Sequence, residues 1–277
     1  MAQAFGLSAH YRPRQCSALW EQPPKGWGSQ LAEALESNPE GHSPAVFFRA
    51  DDIGGGGQAF RALCRLFRTH QVPLAMAVVP AWLTAIRTQQ LFSTAPLDEP
   101  LWGWHQHGWR HANWQRTGKK SEFGEERPVE KQWSDICRGL KKMCEIFGSR
   151  FTPVFTPPWN RLPGATLRIL QELDFKAVSI TGALPRVSKG VIGLRNLRIQ
   201  VDLHTRKGKN GEADFQTMLL ELRAVMTRKE PVGIMLHHQR MTPFAFAFLD
   251  ELLHLLRYRV QARFLSFEEL LENQLDE

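Results

Sequence analysis

The sequence predicts an α/β fold, a closed or nearly closed barrel of about seven parallel strands. Three observations lead there. Short apolar runs alternate with amphipathic segments from residue 45 onward. Several of those runs are continuously apolar, as strands covered on both faces are. Roughly seven or eight strand–helix units in 277 residues favour a barrel over an open sheet.

Residues 1–43 carry several Pro and Gly residues and one short helical pattern at 29–36. They read as an irregular N-terminal extension packed on one domain, residues 44–277. The run 45–48 is a buried strand, followed by a helix at 58–70. Residues 72–79 form an apolar stretch that suits a strand buried on both faces. A helix at 81–91 and a strand at 100–105 come next. Residues 128–147 are a long charged helix with its apolar residues on one stripe. Then follow a strand at 151–155, a helix at 163–173, and strands at 177–180, 191–194 and 197–203. A helix at 215–228, a strand at 232–236 and a helix at 243–257 precede a strand at 261–265 and a terminal helix at 267–275.

Composition narrows the function classes. Hydrophobic residues at 43% and charged residues at 23% are ordinary for a globular protein with a sizeable core. Residues 1–20 lack a basic start followed by an apolar stretch, and no window approaches the run of about 20 apolar residues that spans a bilayer. The expectation is a cytoplasmic protein with no membrane partner. Cys16, Cys64, Cys137 and Cys144 form no CxxC pair and no zinc-finger spacing, so reduced structural thiols are expected. Cys137 and Cys144 sit seven apart in a helical pattern and are expected to share one buried face. The net charge of +7 raises an anionic partner, but the cations are scattered or grouped in loops, so a nucleic-acid partner ranks last.

Polar residues unusual for a core follow four of the apolar runs, where parallel α/β folds build active sites. The first group is Arg49-Ala50-Asp51-Asp52-Ile53, before the glycines 54–57. Neighbouring strand residues point to opposite faces. Both aspartates therefore share a site only if the chain leaves the strand there, which the glycines ease. A helix cap is the other reading.

The second group is His105-Gln106-His107-Gly108-Trp109-Arg110-His111. His107 and His111, four apart, would face one side of a helical turn, whereas His105 and His107 would align on a strand. Such a cluster points to metal binding more than a lone histidine does. The third group, Thr156-Pro157-Pro158-Trp159-Asn160-Arg161, has a double proline that stiffens the loop. It is either an aromatic wall or a rigid connector. The fourth is His237-His238 at the end of a buried strand.

In this order the segments resemble the polysaccharide deacetylase family, also called the NodB-homology or carbohydrate esterase 4 group. Asp51-Asp52 resembles its first motif, His107-Gly108-Trp109-Arg110-His111 its second, Phe155-Thr156-Pro157-Pro158-Trp159 its third and Leu236-His237 its last. Val201-Asp202-Leu203-His204 corresponds weakly to the acidic fourth motif. The resemblance implies a distorted (β/α) barrel and one divalent ion on Asp52, His107 and His111. It further implies Asp51 as catalytic base and His237 as general acid, with Trp159, Asn160 and Arg161 on the substrate and oxyanion side. Arg49, His105, Asp202 and His238 are supporting candidates. The chain departs from the family at Arg49-Ala50, where Thr-Phe is usual, and at Thr156, where arginine is usual. Contact to the base then falls to Arg49 or Arg161. His238 adds a second imidazole beside the expected acid.

The implied activity is metal-dependent removal of an acetyl or similar acyl group from a carbohydrate or small N-acylated substrate. Zinc is the first candidate ion, with Co, Ni, Mn or Fe also suited to this donor set. Trp104, Trp109, Trp114 and Trp159 are candidates for sugar-facing indoles, whereas Trp102 reads as core. The alternatives are a glycan-binding protein of the same fold without turnover, a hydrolase of a non-sugar C–N amide bond, and a mononuclear iron oxygenase.

Overall fold

The computed structural model describes residues 1–13, 15–36, 43–185 and 193–272. In chain order the elements are α1 (Trp27–Glu36), β1 (Ala45–Ile53), α2 (Gln58–His70), β2 (Leu74–Val78), α3 (Ala85–Thr94) and β3 (Trp102–His107). Next come α4 (Val129–Phe147), β4 (Phe151–Thr156), α5 (Gly164–Glu172), β5 (Ala177–Val178), β6 (Arg195–Asn196) and β7 (Ile199–Asp202). The chain continues through α6 (Gly211–Met226), β8 (Val232–Leu236), α7 (Pro243–Tyr258), β9 (Arg263–Phe264) and α8 (Phe267–Glu272).

Strands hydrogen-bond in the order β6-β5-β4-β3-β2-β1-β8-β7, with β9 added on β1. Pairing is parallel in the registers that place Val46 beside Val232 and His107 beside Thr156. Every residue of β2, β3 and β8 is buried. The uninterrupted apolar character of β2 and β8 follows from that cover on both faces, whereas β3 ends in the buried polar residues His105, Gln106 and His107. This is the parallel α/β topology of the distorted (β/α) barrel; its end strands β6 and β7 are separated in the chain only by Leu197 and Arg198.

Some boundaries differ from the sequence reading. β3 extends beyond residue 105, which makes His107 its last residue. The segment 81–91 is not one helix: a 3-10 turn at Pro80–Trp82 comes first. α3 begins after Thr84, whose hydroxyl caps it by accepting the Arg87 N–H at 3.3 Å. Of the strand expected at 191–194, residues 191 and 192 lie outside the described residues, and Gly193 and Leu194 are not in a strand. The expected strand at 197–203 narrows to β7, and positions 273–275 of the terminal helix lie outside the described residues. In α4 the buried stripe is Gln132, Ile136, Gly139, Met143 and Phe147. Cys137 and Cys144 are off that stripe, half-buried and exposed, so the expected buried thiol face is corrected. No disulfide joins any of the four cysteines. Among the described residues no helix is long and apolar enough to cross a membrane.

The chain forms two compact units. One comprises Met1–Ala50, Gly56–Leu74 and Gln200–Ser266. Its centre is Trp20, fully buried, with ring neighbours Phe244 at 5.4 Å and Phe248 at 5.1 Å. The indole N–H donates to the Leu203 carbonyl at 2.7 Å, as a buried Trp requires. The Thr242 hydroxyl donates to the Trp20 carbonyl at 2.6 Å and also caps α7 at Ala245.

The other unit comprises Asp51–Gly55, Ala75–Ile199 and Phe267–Glu277. Its core includes Phe123, Ile136, Phe155, Leu170, Phe175 and Val178. Phe123 comes from the long connection between β3 and α4, and packs on Phe155 at 5.5 Å. Trp102 and Trp104 are both core; Trp104 stacks on Phe147 at 4.9 Å, so it is not a sugar-facing indole.

Truncating Trp20 removes a large buried ring and leaves the Leu203 carbonyl without its donor. Trp20→Ala is expected to destabilise the protein by about 3–5 kcal/mol, read as a lower urea midpoint. A loss under about 1 kcal/mol would contradict the packing described.

Candidate metal centre

Asp51 and Asp52 lie just before the last residue of β1, and a regular strand would send them to opposite faces. Asp52 instead has a left-handed backbone, φ +62°. The strand persists through Ile53, so the change of direction occurs at Asp52 itself and not at the glycines that follow. Gly54 serves another purpose: a Cβ there would meet the Trp82 ring at 2.7 Å. The glycine admits Trp82 to the site.

His107 and His111 are not on a helical turn. His107 is the end of β3, and the chain then reverses through Gly108 at φ +56° and His111 at φ +58°. Both imidazoles nevertheless reach Asp52. His107 Nε2 lies 3.3 Å and His111 Nε2 3.2 Å from Asp52 Oδ1. One donor atom from each of the three residues lies within 4.8 Å of the others. Among the described residues no other trio of His, Cys, Asp or Glu meets that condition.

The hydrogen bonding around His107 fits a cation between these donors. His107 Nδ1 is 2.9 Å from the Thr156 carbonyl, which can only accept, so Nδ1 carries the proton. In neutral His107 the lone pair of Nε2 therefore faces a carboxylate oxygen. Two acceptors at that distance need a shared proton or metal ion between them. Burial alone would lower the His107 pKa, but the Asp52 bond and the charges of Asp51 and Asp52 outweigh it and hold it above the ordinary value. His111 is pushed down to about 4 by burial and then by the charge of His107. Asp52 thus faces one imidazole whose protonation is favoured, His107, and one whose protonation is disfavoured, His111. Two imidazoles and one carboxylate, with the Thr156 carbonyl fixing the tautomer of His107, fit a divalent ion.

Around the trio lie aromatic and polar groups. Trp159 and Asn160 are consecutive left-handed residues, φ +58° and +56°. Trp159 packs on His111 at 4.4 Å, and Trp82 on the same ring at 5.8 Å. The Trp82 indole N–H donates to the Arg110 carbonyl at 3.1 Å. Trp82 was not legible as a site residue, because its sequence neighbourhood reads as the start of a helix. Trp109 is half-buried, and Trp114 is 47% exposed with the Arg127 guanidinium 5.0 Å from its ring.

Thr156, where the family carries arginine, places its hydroxyl 3.0 Å from His105 Nε2, deep in the sheet. Arg161 donates to the Lys120 carbonyl at 2.8 Å. Arg49 is fully buried and one of its Nη2 contacts is Met235 Sδ at 2.9 Å.

The 109–111 backbone rests on Glu122, a residue the sequence reading missed. Its fully buried carboxylate accepts three N–H groups: Trp109 at 3.2 Å, Arg110 at 2.7 Å and His111 at 3.2 Å. Burial raises the Glu122 pKa, opposed by those N–H groups and by the charge of His107.

His237, His238 and Asp202 belong to the other unit and are described within it. Asp202 is spent on a turn: its carboxylate accepts the N–H of His204 and of Thr205, each at 3.0 Å, and the Thr205 hydroxyl. Burial, and next the charge of His237, push His204 down to about 3. The neutral His204 accepts the backbone N–H of His237 at its Nδ1, 3.2 Å away. His238 is buried, its ring 5.7 Å from Phe60.

No protein-family model matches the sequence, and neither does any curated protein. Solved structures do share the fold. A protein from Mycobacterium smegmatis assigned to the polysaccharide deacetylases aligns with a TM-score of 0.62 at 14% identity, over 86% of this chain and 92% of that one. A polysaccharide deacetylase from Bacillus cereus gives 0.51 at 14% identity, over 81% and 92%. A family 4 acetyl xylan esterase from Clostridium thermocellum, solved with a cobalt ion, gives 0.50 at 13% identity, over 83% and 91%. The class is therefore plain: this chain has the polysaccharide deacetylase fold.

Gly108 tests the loop geometry. An added Cβ would clash with Glu122 Oε2 and lie 2.7 Å from the Pro158 ring, at a backbone angle that L residues resist. Gly108→Ala is expected to cost about 1–3 kcal/mol and to weaken metal binding. Denaturation and chelator competition read both. Unchanged values would show that the loop has room the geometry denies.

Proposed function

We propose that this protein is a metal-dependent deacetylase that removes an acetyl group from the amide nitrogen of a sugar or related small N-acylated substrate. One observation carries the reading: Asp52 Oδ1 sits 3.3 Å and 3.2 Å from the Nε2 atoms of His107 and His111, while the His107 Nδ1 proton is committed to Thr156. The fold shared with polysaccharide deacetylases, one of its members solved with cobalt, supports it. Zinc is the proposed ion, since this donor set suits it as well as Co, Ni, Mn or Fe.

A divalent ion bound there supplies Lewis acidity, lowering the pKa of water and polarising an acyl carbonyl. The remaining work falls to the chain. Asp51, almost fully buried beside the ligands, takes a proton from the attacking water. The backbone turn at Trp159 offers an N–H to the developing oxyanion, a contribution of about 3 kcal/mol for one such donor. The C–N bond then breaks as the leaving nitrogen takes up a proton. The indoles of Trp159 and Trp82, both packed on His111, suit the apolar face of a sugar ring.

Two substitutions separate the roles. His107→Ala is expected to lose the bound metal by elemental analysis, and activity with it. Asp51→Asn is expected to keep the metal while acetate release falls by about 10²–10⁴-fold. Near-normal turnover in Asp51→Asn, or a wild-type protein without metal, would sink the reading. On a substrate panel, cleavage of N-acetyl amino acids with N-acetyl sugars untouched would move the substrate class to non-sugar amides.

A further inference from the structure

The segment that carries His111 has no regular secondary structure, yet a metal ligand must be held to within a fraction of an ångström. From Gly108 to His111 the chain is outside both strand and helix, and two of its residues are left-handed. Backbone N–H groups in such a loop need acceptors. Here three in succession converge on one carboxylate. Glu122 Oε2 takes those of Trp109 and His111, and Oε1 takes that of Arg110.

A concave run of N–H groups is a natural anion seat. A carboxylate buried without such partners would be strongly unfavourable. The two halves of the contact therefore require each other. Glu122 is itself held firmly. Phe123, the next residue, is fully buried among Ile136, Phe155 and Leu167. The Glu122 carbonyl accepts from Arg127 Nη1 at 3.2 Å, and Arg127 is paired with Asp135 at 2.5 Å. Gln132 on α4 donates to the carbonyls of Gly124 at 3.1 Å and Arg127 at 2.9 Å. The core of the unit thus fixes the carboxylate, and the carboxylate fixes the loop.

We infer that Glu122 is a positioning residue for the metal centre: it sets the backbone of His111 so that this imidazole meets Asp52. The inference rests on the metal-site reading above and goes beyond it, because Glu122 is not itself a member of the ligand trio. Its separation from His111 by 11 positions and its bonds to main chain alone set it apart from an acid or base. Glu126, in the same connection, is the natural control. It accepts the N–H of Arg116 at 2.9 Å and the Thr117 hydroxyl at 2.9 Å, away from the histidines.

The test uses the full chain with Zn(II) or Co(II) alone as the probe. Affinity is read by competition with a chromogenic chelator, and ligand geometry by the visible d–d bands of the Co(II) form. Glu122→Ala is expected to weaken binding about 10–100-fold, the usual effect of losing an outer-shell partner, and to change the Co(II) band shape. Glu122→Gln keeps the volume but turns an NH₂ toward at least one of the three N–H groups, and is expected to lose about tenfold. Glu126→Ala should stay within about twofold of wild type. Should Glu122→Ala fail to fold, shown by far-UV and near-UV circular dichroism, the glutamine variant decides. Folded Glu122 variants with wild-type affinity and spectrum overturn the inference alone. A wild-type protein that binds neither ion overturns both this and the metal-site reading.

Discussion

The centre depends on backbone that L-residues avoid. Asp52, His111, Trp159 and Asn160 all hold positive φ, and they make up four of the seven such non-glycine residues described. Each such residue costs about 1–3 kcal/mol, so surrounding contacts must over-determine it. At Asp52 the strand hydrogen bonding on either side of the residue does so. At His111 the Glu122 carboxylate does, and after Pro157 and Pro158 the stiff chain leaves little else for Trp159. The concentration of these residues around one pair of imidazoles sets the site apart from an incidental polar cluster.

Charge follows from the same geometry. Facing each other, Asp52 and His107 need a proton or a cation between them, and the His111 pKa is pushed down to about 4 by burial and then by the charge of His107. Asp52, His107 and His111 would hold a divalent ion in place of that proton, which would satisfy the two imidazoles and the carboxylate together. The net +7 of the whole chain plays no part in this balance. It is carried by cations spread over the sequence, and the site is governed by groups that are mostly buried.

The strand–helix alternation was legible because it depends on local pattern, whereas the trio Asp52, His107 and His111 followed from the family resemblance of the motifs and not from spacing alone. Continuous apolar runs report cover on both faces, and histidines gathered at a strand end report a polar function in an apolar setting. What escaped the sequence depends on non-local contact. The four-residue spacing of His107 and His111 suits a helix equally well, and only Gly108, squeezed between Glu122 and Pro158, shows why the chain reverses instead. Glu122 and Trp82 enter the site from segments with no motif of their own. Trp104 was misread because its neighbours are histidines, whereas its face of β3 meets Phe147. The cysteines of α4 illustrate the same limit: equal spacing assigns a shared face but does not say which face is buried.

Crystals soaked in zinc, measured at the zinc absorption edge, test the central claim most directly. The account requires a single strong anomalous peak about 2.0–2.2 Å from Asp52 Oδ1, His107 Nε2 and His111 Nε2, with His107 Nδ1 still on the Thr156 carbonyl. A peak held by other residues, or none where Asp52 and the two rings stay in place, would contradict it.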